Sequence, residues 1–336
     1  MDNIANLPHR ILSIFESISS KNPFTNVYGL GRSVLALGMF LTLLFNEKEI
    51  LFPQHLFHAN IADSRFIEST NLFFIFGLEH YWASLLISSI ILLSVISGYF
   101  PRITGILHWW VTFSFFKSAA IIEGGDQIAA TITLLLIPIT LLDNRKNHWN
   151  KIEHKSNPFS NYIAYIFFLF IKIQVAIIYL HAGIDKLYKV QEWVDGTAVY
   201  YWFNNSIFGL SDALSGGWLE HSLNNALVVQ SISWGAIAFE ILLFGTLFMS
   251  FNKKKYFLFF GILFHFGIML VHGLVTFYMT MTCALILYIL PPEMIINAKL
   301  PDFKSKWTTL LSYFKRSLPA NDKSYAQTQA YHTIRH

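Results

Sequence analysis

The sequence predicts an all-α, polytopic helical membrane protein with about eight transmembrane helices. Of its 336 residues, 54% are hydrophobic and only 13% are charged, whereas a soluble domain carries about 25% charged residues. The apolar runs are continuous over about 18 to 22 residues, which is the length that a membrane-spanning helix needs. The strands of a membrane barrel would instead alternate over about ten residues.

Eight apolar segments are separated by breaks that favour helix ends. Proline or glycine beside polar residues occurs at 101–102, 124–126 and 291–292, and charged turns occur at 143–146 and 252–255. The predicted spans one to eight are residues 28–45, 81–99, 103–121, 126–143, 160–186, 226–250, 256–274 and 275–291.

These spans form one transmembrane domain, residues 22–292, between an N-terminal segment, 1–21, and a polar tail, 293–336. The first residues lack the long apolar core of a cleaved signal, so the first span is predicted to be an uncleaved insertion signal. The protein's main surroundings would then be the lipid bilayer.

The basic residues predict the orientation of the chain. They concentrate in the two terminal segments and in the loops after the fourth and sixth spans, whereas the loops 46–79 and 187–225 are poor in Lys and Arg. Because basic loops stay in the cytoplasm, both termini are predicted to be cytoplasmic. Arg32, near the cytoplasmic end of the first span, is predicted to anchor lipid headgroups or to bind a partner.

Ionisable residues inside the spans mark candidate functional positions, because a charge at the bilayer centre costs several kcal/mol and usually faces a bundle interior or a water-filled cavity. The fifth span carries polar residues on two stripes, so it is predicted to be central in the bundle. One stripe holds Lys172, Tyr179 and Lys186, and the nearly opposite one holds Gln174, His181 and Asp185.

Further polar residues from other spans fall in the same outer half of the predicted bundle. They indicate a polar cavity that opens outward. The predicted site is centred on Lys186, and the residues that support it are His181, Asp185, Asp126, Glu240 and His265. Trp193 and Gly196 are predicted to shape the adjoining loop.

Several of these residues also have a purely structural interpretation. Lys186 could extend to the membrane interface as an anchor, His181 could be a hydrogen-bonded packing residue, and Asp126 could be a helix N-cap. A carboxylate within a span needs a partner, and Lys172, placed near the middle of the fifth span, is one candidate for Glu240.

Other chemistries have little support in the sequence. His265 and His272 lack a third metal ligand on the same helix, so no metal site is predicted. The single Cys283 excludes an intramolecular disulfide. Phosphate-binding glycine loops, CxxC, HExxH and Gly-x-Ser-x-Gly motifs are absent, and no basic patch indicates nucleic acid.

The stretch YLHAGIDKLYKVQEWVDGTAVYYW, residues 179–202, resembles the signature of the vitamin K-dependent gamma-carboxylase and its bacterial HTTM relatives. That signature is Ala-Gly-x-x-Lys at the end of an apolar helix, followed by Trp-x-x-Gly. The resemblance implies that Lys186 corresponds to the lysine that deprotonates the vitamin K hydroquinone. Asp185 stands where the family has another lysine, which is a departure. The segment HFGIMLVHGLVTFYMTM, residues 265–281, is similar to a later helix of the same family.

Two further segments resemble the sporulation-delaying protein B (SdpB) family. They are NPFTNVYGLGRSVLALGMFLTLLFN, residues 22–46, and GGDQIAATITLLLIPITLLDNR, residues 124–145. The resemblance covers about residues 22–292. It implies a bacterial inner-membrane protein that acts with a small SdpA-like partner to mature an exported antimicrobial peptide from a toxin precursor.

The reaction and cofactor stay open at this point. A quinone or lipid could bind beside Lys186, but the chain lacks the large luminal domain with which the carboxylase grips its substrate, so vitamin K-dependent carboxylation is not carried over. The alternatives are a non-catalytic scaffold or immunity receptor for the precursor, and a quinone-linked membrane enzyme of carboxylase-like type.

Overall fold

The structure is a computed structural model that describes residues 13, 16–57, 65–150, 157–205, 209–210, 214 and 216–296. Most of the predicted segments 1–21 and 293–336 lies outside these residues. In the described part, eight long helices follow the order of the predicted spans. They are α1 Asn26–Phe45, α2 Tyr81–Ser97, α3 Pro101–Ser118, α4 Gly124–Leu142, α5 Pro158–Tyr188, α6 Ala226–Gly245, α7 Phe251–His272 and α8 Val275–Ile289.

Among the described residues, five helices are long and apolar enough to cross a membrane. They are α1, α4, α5, α7 and the stretch Ala226–Phe248 that contains α6; α2 and α8 are shorter apolar helices. The predicted class, a helical membrane protein, is therefore confirmed, whereas the number of eight crossings stays a prediction. The two long loops contain short helices at Lys48–Leu51, Gln54–Phe57, Arg65–Thr70, Leu72–Phe76, Gln191–Val194, Ala198–Phe203 and Trp218–Ser222.

Helix starts are encoded by local capping residues. Thr25, Asn157 and Asn225 each accept a hydrogen bond from the backbone N–H two residues ahead, at 3.3, 3.0 and 3.0 Å. Such side chains satisfy one of the backbone donors that the first helical turn leaves unpaired. At α4, Glu123 and Asp126 cap each other's backbone N–H groups in a reciprocal box.

The centre of the bundle is formed by α1 and α8. Helix α8 is buried continuously from Thr280 to Ile289, and its flanks pack on α1, α4, α5 and α7. The prediction that the fifth span is central was wrong, because one side of α5 carries exposed apolar residues such as Leu169, Ile173 and Ile177. That side is apolar enough to face lipid, so α5 lies at the edge of the bundle.

Arg32 is buried, with 1% of its surface exposed, and the prediction that it contacts headgroups or a partner was wrong. Its Nη1 lies 3.3 Å from Nδ1 of His148, and its Nη2 donates to Oγ1 of Thr104 at 3.1 Å. His148 belongs to the loop after α4. Burial, together with the charges of Arg32 and Arg145, lowers the pKa of His148 to about 2. The imidazole is therefore neutral, and its Nδ1 accepts a hydrogen bond from Arg32.

The same loop is fixed by an ion pair. Arg145 donates from Nε and Nη2 to the carboxylate of Asp143, with Nη2 at 2.8 Å from Oδ2, and the pair is 9% and 1% exposed. Tyr28 of α1 donates to the same carboxylate, and Nη1 of Arg145 donates to the carbonyl of His148 at 2.9 Å. These bonds attach the loop after α4 to α1.

Gly98 ends α2 in the left-handed conformation, with φ +86°. A Cβ there would lie 2.6 Å from Cδ1 of Trp149. We expect Gly98→Ala to lower the free energy of unfolding by at least the roughly 1–2 kcal/mol that the left-handed conformation costs. Unfolding of the purified protein in detergent would measure this. The control is Gly267→Ala in α7, where no atom lies near the added Cβ; equal stability of both variants would contradict the expectation.

Candidate functional site

Lys186 and Glu240 form an ion pair between α5 and α6. The Nζ of Lys186 lies 2.7 Å from both carboxylate oxygens of Glu240, and the side chains are 22% and 10% exposed. The helices touch closely here, because Gly183 packs against Ile237 and Ile241 of α6. The predicted Lys172–Glu240 pair is therefore wrong, because Glu240 pairs with Lys186, which lies further along α5.

The ammonium of Lys186 is turned back along α5. It donates to the carbonyl of Ala182, four residues earlier, at 3.1 Å. An interfacial anchor near the end of a helix would extend its amine away from the bundle. Glu240 follows the first residue of α6, Ala226, by 14 residues, which is about 21 Å along a helix. The pair thus lies inside the bundle, and the anchor interpretation does not fit its geometry.

Trp193 covers the pair from the loop side. Its ring centroid is 5.1 Å from the Nζ of Lys186, within the range of a cation–π contact. Gly196 follows in a turn with φ +72°, where a Cβ would lie 3.0 Å from the side chain of Gln230. The indole of Trp234 on α6 donates to the carbonyl of Val194 at 3.2 Å. The segment after α5 therefore folds back along α6 as a cap.

His265 belongs to the same region through Tyr179. The hydroxyl of Tyr179, 1% exposed, lies 3.0 Å from Nε2 of His265, which is 3% exposed. Tyr179 precedes Lys186 by seven residues, about two turns of α5, so the two side chains lie on the same face of the helix. The predicted residues Lys186, Glu240 and His265 therefore come together, and Tyr179 joins them from the predicted Lys172 stripe.

His181 and Asp185 lie on another face of α5 and do not contact Lys186. Their side chains are 68% and 39% exposed, with His181 Nδ1 at 3.8 Å from Asp185 Oδ1. Asp185 instead accepts from Nζ of Lys189 at 2.6 Å, one turn further along. The prediction that these two residues support Lys186 is not met by the geometry.

Lys172 lies near the end of the bundle where α7 begins. It is close enough to Lys254, in the first turn of α7, and to Glu293, after α8, for their charges to interact. Tyr165 on the preceding turns donates to Glu293 at 3.2 Å. The first part of α5 therefore lies at the end of the bundle where α7 begins, which explains why this helix has 31 residues.

Asp126 belongs to a second polar cluster, with Glu123. Asp126 is 3% exposed and accepts from the backbone N–H of Glu123 at 3.1 Å. It is the third residue of the capping box, and Glu123 holds the N-cap position that the sequence suggested for Asp126. Phe277 separates the two clusters: it packs on the ring of His265, at 5.4 Å between centroids, and on the backbone of Gly125. The single outward cavity predicted from the sequence is thus two separate sites.

Glu123 was missed in the sequence prediction, although the spacing Glu-Gly-Gly-Asp is that of a capping box. Burial, and then the neighbouring Asp126, raise the pKa of Glu123 to about 8. His272, at the end of α7, packs on the rings of Trp202 and Phe203, away from the Tyr179 bond of His265. In the described ranges no cluster of three or more metal-type side chains is present.

The chemistry of the first cluster follows from its charges. The paired ammonium of Lys186 is a positive charge and a strong hydrogen-bond donor beside a phenol, an imidazole and an indole. Such a group suits the binding of a carbonyl or carboxylate. It is less suited to removing a proton, because that requires a free amine.

Two curated proteins are similar to the chain over most of its length. It is 37% identical to the sporulation-delaying protein SdpB of Bacillus subtilis (strain 168) over 316 residues, which are 91% of this chain and 95% of that protein. It is 37% identical to the uncharacterized protein YitO of the same strain over 284 residues, 82% of this chain and 89% of that protein. No family model matches the chain, and no solved structure matches it.

Proposed function

Because the chain belongs to the SdpB family, we propose that it acts in the bacterial cytoplasmic membrane to mature an exported antimicrobial peptide from its toxin precursor. It would do so with a small SdpA-like partner and with both termini in the cytoplasm. The name of the Bacillus relative connects that protein with delayed sporulation. The maturation role comes from the family resemblance of the sequence, and similarity over nearly the whole chain supports it.

The observation that carries the proposed site is the Lys186–Glu240 pair. A membrane helix keeps an ammonium in its interior only when a partner compensates the desolvation, and here both oxygens of Glu240 do so. The pair lies below Trp193 and beside Tyr179–His265. In the proposed role, Lys186 holds a carbonyl or carboxylate of the precursor, and Glu240 is a positioning residue for the ammonium.

The resemblance to the carboxylase would place a quinone-like molecule beside Lys186, with this lysine as base. The residues present do not fit that use, because the ammonium donates to both oxygens of Glu240 and to the carbonyl of Ala182. We therefore derive no step through a quinone. A quinone-linked enzyme would be recognised by a quinone that extracts with the purified protein and absorbs in the near ultraviolet.

A scaffold or immunity receptor is the second candidate, and the aromatic cap favours it. Tyr200, Tyr201 and Trp202 expose 45%, 58% and 45% of their surfaces. Exposed Tyr and Trp are typical of surfaces that bind peptides or the membrane interface. In this alternative the cap holds the precursor, and the ion pair only joins α5 to α6.

The test is maturation in cells that express the chain with its small partner and the secreted precursor. Lys186→Met keeps the aliphatic stem and removes the ammonium, and we expect precursor to accumulate with loss of the mature peptide. Mass spectrometry of the secreted peptide would measure this. The matched control is Lys189→Met, because Lys189 is 68% exposed on the same helix end and contacts only the surface residue Asp185 among the ion pairs described.

The membrane content of each variant is measured in parallel. Loss of mature peptide with a normal amount of inserted Lys186→Met protein would support the lysine-centred site. A normal yield of mature peptide would contradict it, and the scaffold function would then be preferred. In that case, Tyr201→Ala together with Trp202→Ala should abolish maturation.

A further inference from the structure

A cavity of about 390 Å³ lies where α1 ends and α4 and α8 begin. Its walls are mainly apolar, with Leu41, Phe45, Ile50, Phe115, Ile121 and Val275 among the lining residues. The charged residues in the wall are Glu123 and Asp126. This is the second polar cluster, on the far side of Phe277 from Lys186, so the cavity is separate from the site proposed above.

Each carboxyl group has one oxygen committed to the backbone and one without a partner. Oδ2 of Asp126 accepts from the backbone of Glu123, and the Glu123 carboxyl accepts from the backbone of Asp126 and of Phe277. Oδ1 of Asp126 and Oε2 of Glu123 are buried with no hydrogen-bond partner among the described residues. Only 3% of the surface of Asp126 is exposed. Buried acceptors of this kind are costly unless a donor satisfies them.

The electrostatics favour a single positive charge. Because burial raises the pKa of Glu123 to about 8, the two carboxyl groups would share a proton near neutral pH, and the cluster would carry about one negative charge. A hydrated divalent metal needs more oxygen ligands than two carboxyl groups within apolar walls provide. An ammonium on an apolar stem would donate to the charged carboxylate and neutralise the single negative charge, and its stem would suit the apolar walls.

We propose that this cavity binds a primary ammonium carried on an apolar stem, with the ammonium between the free oxygens of Glu123 and Asp126. The stem would lie against the apolar residues of the wall. The same chemistry is found in a peptide amine, either a lysine side chain or an N-terminus, and in an ethanolamine lipid headgroup. The inference is independent of the maturation role, since it rests on this cavity alone.

The direct test is calorimetric titration of the full-length protein in detergent with n-hexylammonium. n-Hexanol is the matched probe, since it has the same stem without the charge. We expect the alcohol to bind about tenfold more weakly or worse, because it cannot make a charge-assisted hydrogen bond. Equal affinity for the two probes would overturn the proposal and leave an apolar void.

Variants locate the binding site. Asp126→Asn and Glu123→Gln keep an oxygen for capping, and each should weaken the binding of n-hexylammonium by about tenfold. Glu79→Gln, which changes an exposed loop carboxylate, is the control and should leave the affinity unchanged. Val275→Phe narrows the cavity without altering either carboxyl group, so it tests the site even where the other variants fold poorly. Unchanged binding by Val275→Phe and by any folded carboxyl variant would overturn the proposal.

Two competition arms distinguish the natural sources of the ammonium. The first uses an apolar hexapeptide amide with an acetylated N-terminus and one lysine, against the same peptide with norleucine in its place. The second compares protein in phosphatidylethanolamine and phosphatidylcholine nanodiscs. Competition by the lysine peptide identifies a peptide ligand, and competition by phosphatidylethanolamine identifies the lipid headgroup. Competition by neither, together with weak n-hexylammonium binding, would contradict the assignment.

Discussion

Glu240→Leu is expected to lower the free energy of unfolding by about 3 kcal/mol, because it leaves the ammonium of Lys186 unpaired inside the bundle. This is the lower part of the range for breaking a buried ion pair, since Lys186 retains 22% exposure. Only the carbonyl of Ala182 and the ring of Trp193 would remain as partners in the contacts described. Unfolding of the purified protein by denaturant in detergent would measure the loss.

The double variant Lys186→Met with Glu240→Leu separates stability from function. Replacing both members of a buried pair by apolar residues of similar size usually restores stability, so we expect this variant to unfold close to the unchanged protein. If Lys186 acts on the precursor, the double variant is stable and inactive in maturation. If it is stable and active, the pair is only structural. Equal stability of Glu240→Leu and the unchanged protein would contradict the ion pair itself.

Arg145→Met is expected to be the most destabilising of these changes, at about 3–5 kcal/mol. It leaves the carboxylate of Asp143, 1% exposed, with the hydroxyl of Tyr28 and the backbone N–H of residue 145 as its described donors. It also removes the bond to the carbonyl of His148. The expected result is a lower unfolding midpoint and a loop that is cut sooner by protease.

Lys146→Met is the matched control for Arg145→Met. It changes the neighbouring basic residue, which is exposed. Both variants therefore remove one positive charge from the loop. We expect little change in the unfolding midpoint. A comparable loss in both variants would mean that the loop's charge, and not the Asp143–Arg145 pair, stabilises the protein.

The helices could be predicted well from the sequence, because apolar length and capping residues are local signals. The spans predicted to begin at residues 28, 160 and 226 begin as helices at Asn26, Pro158 and Ala226, directly after the capping residues Thr25, Asn157 and Asn225. The hydropathy pattern does not show at which level of the helix bundle a residue lies. Lys172 was placed near the middle of the membrane because it is near the middle of the predicted span 160–186, whereas it lies at the level of Lys254 and Glu293.

The site was predicted in part for the same reason. Lys186, Glu240 and His265 were recognised as isolated polar residues in apolar spans, but their contacts depend on the rotation and depth of three helices. His181 and Asp185 were grouped with Lys186 because all three lie at the same end of the fifth span, although they belong to the nearly opposite stripe, and that stripe is exposed. Arg32 was assigned to the surface because its charge suggested water, and its partner His148 lies 116 residues away.

The Lys186–Glu240 pair also has a consequence for biogenesis. On the scale measured for insertion by the translocon, one Lys or carboxylate near the centre of a helix opposes integration by about 2.5–3.5 kcal/mol. Glu240 is such a charge in α6, whereas Lys186 stands in the last turn of α5, and the two charges neutralise each other when the two helices are side by side. We therefore expect the two segments to integrate together as a hairpin. In this sense α5 and α6 form one unit of membrane insertion, although the chain encodes them as two helices.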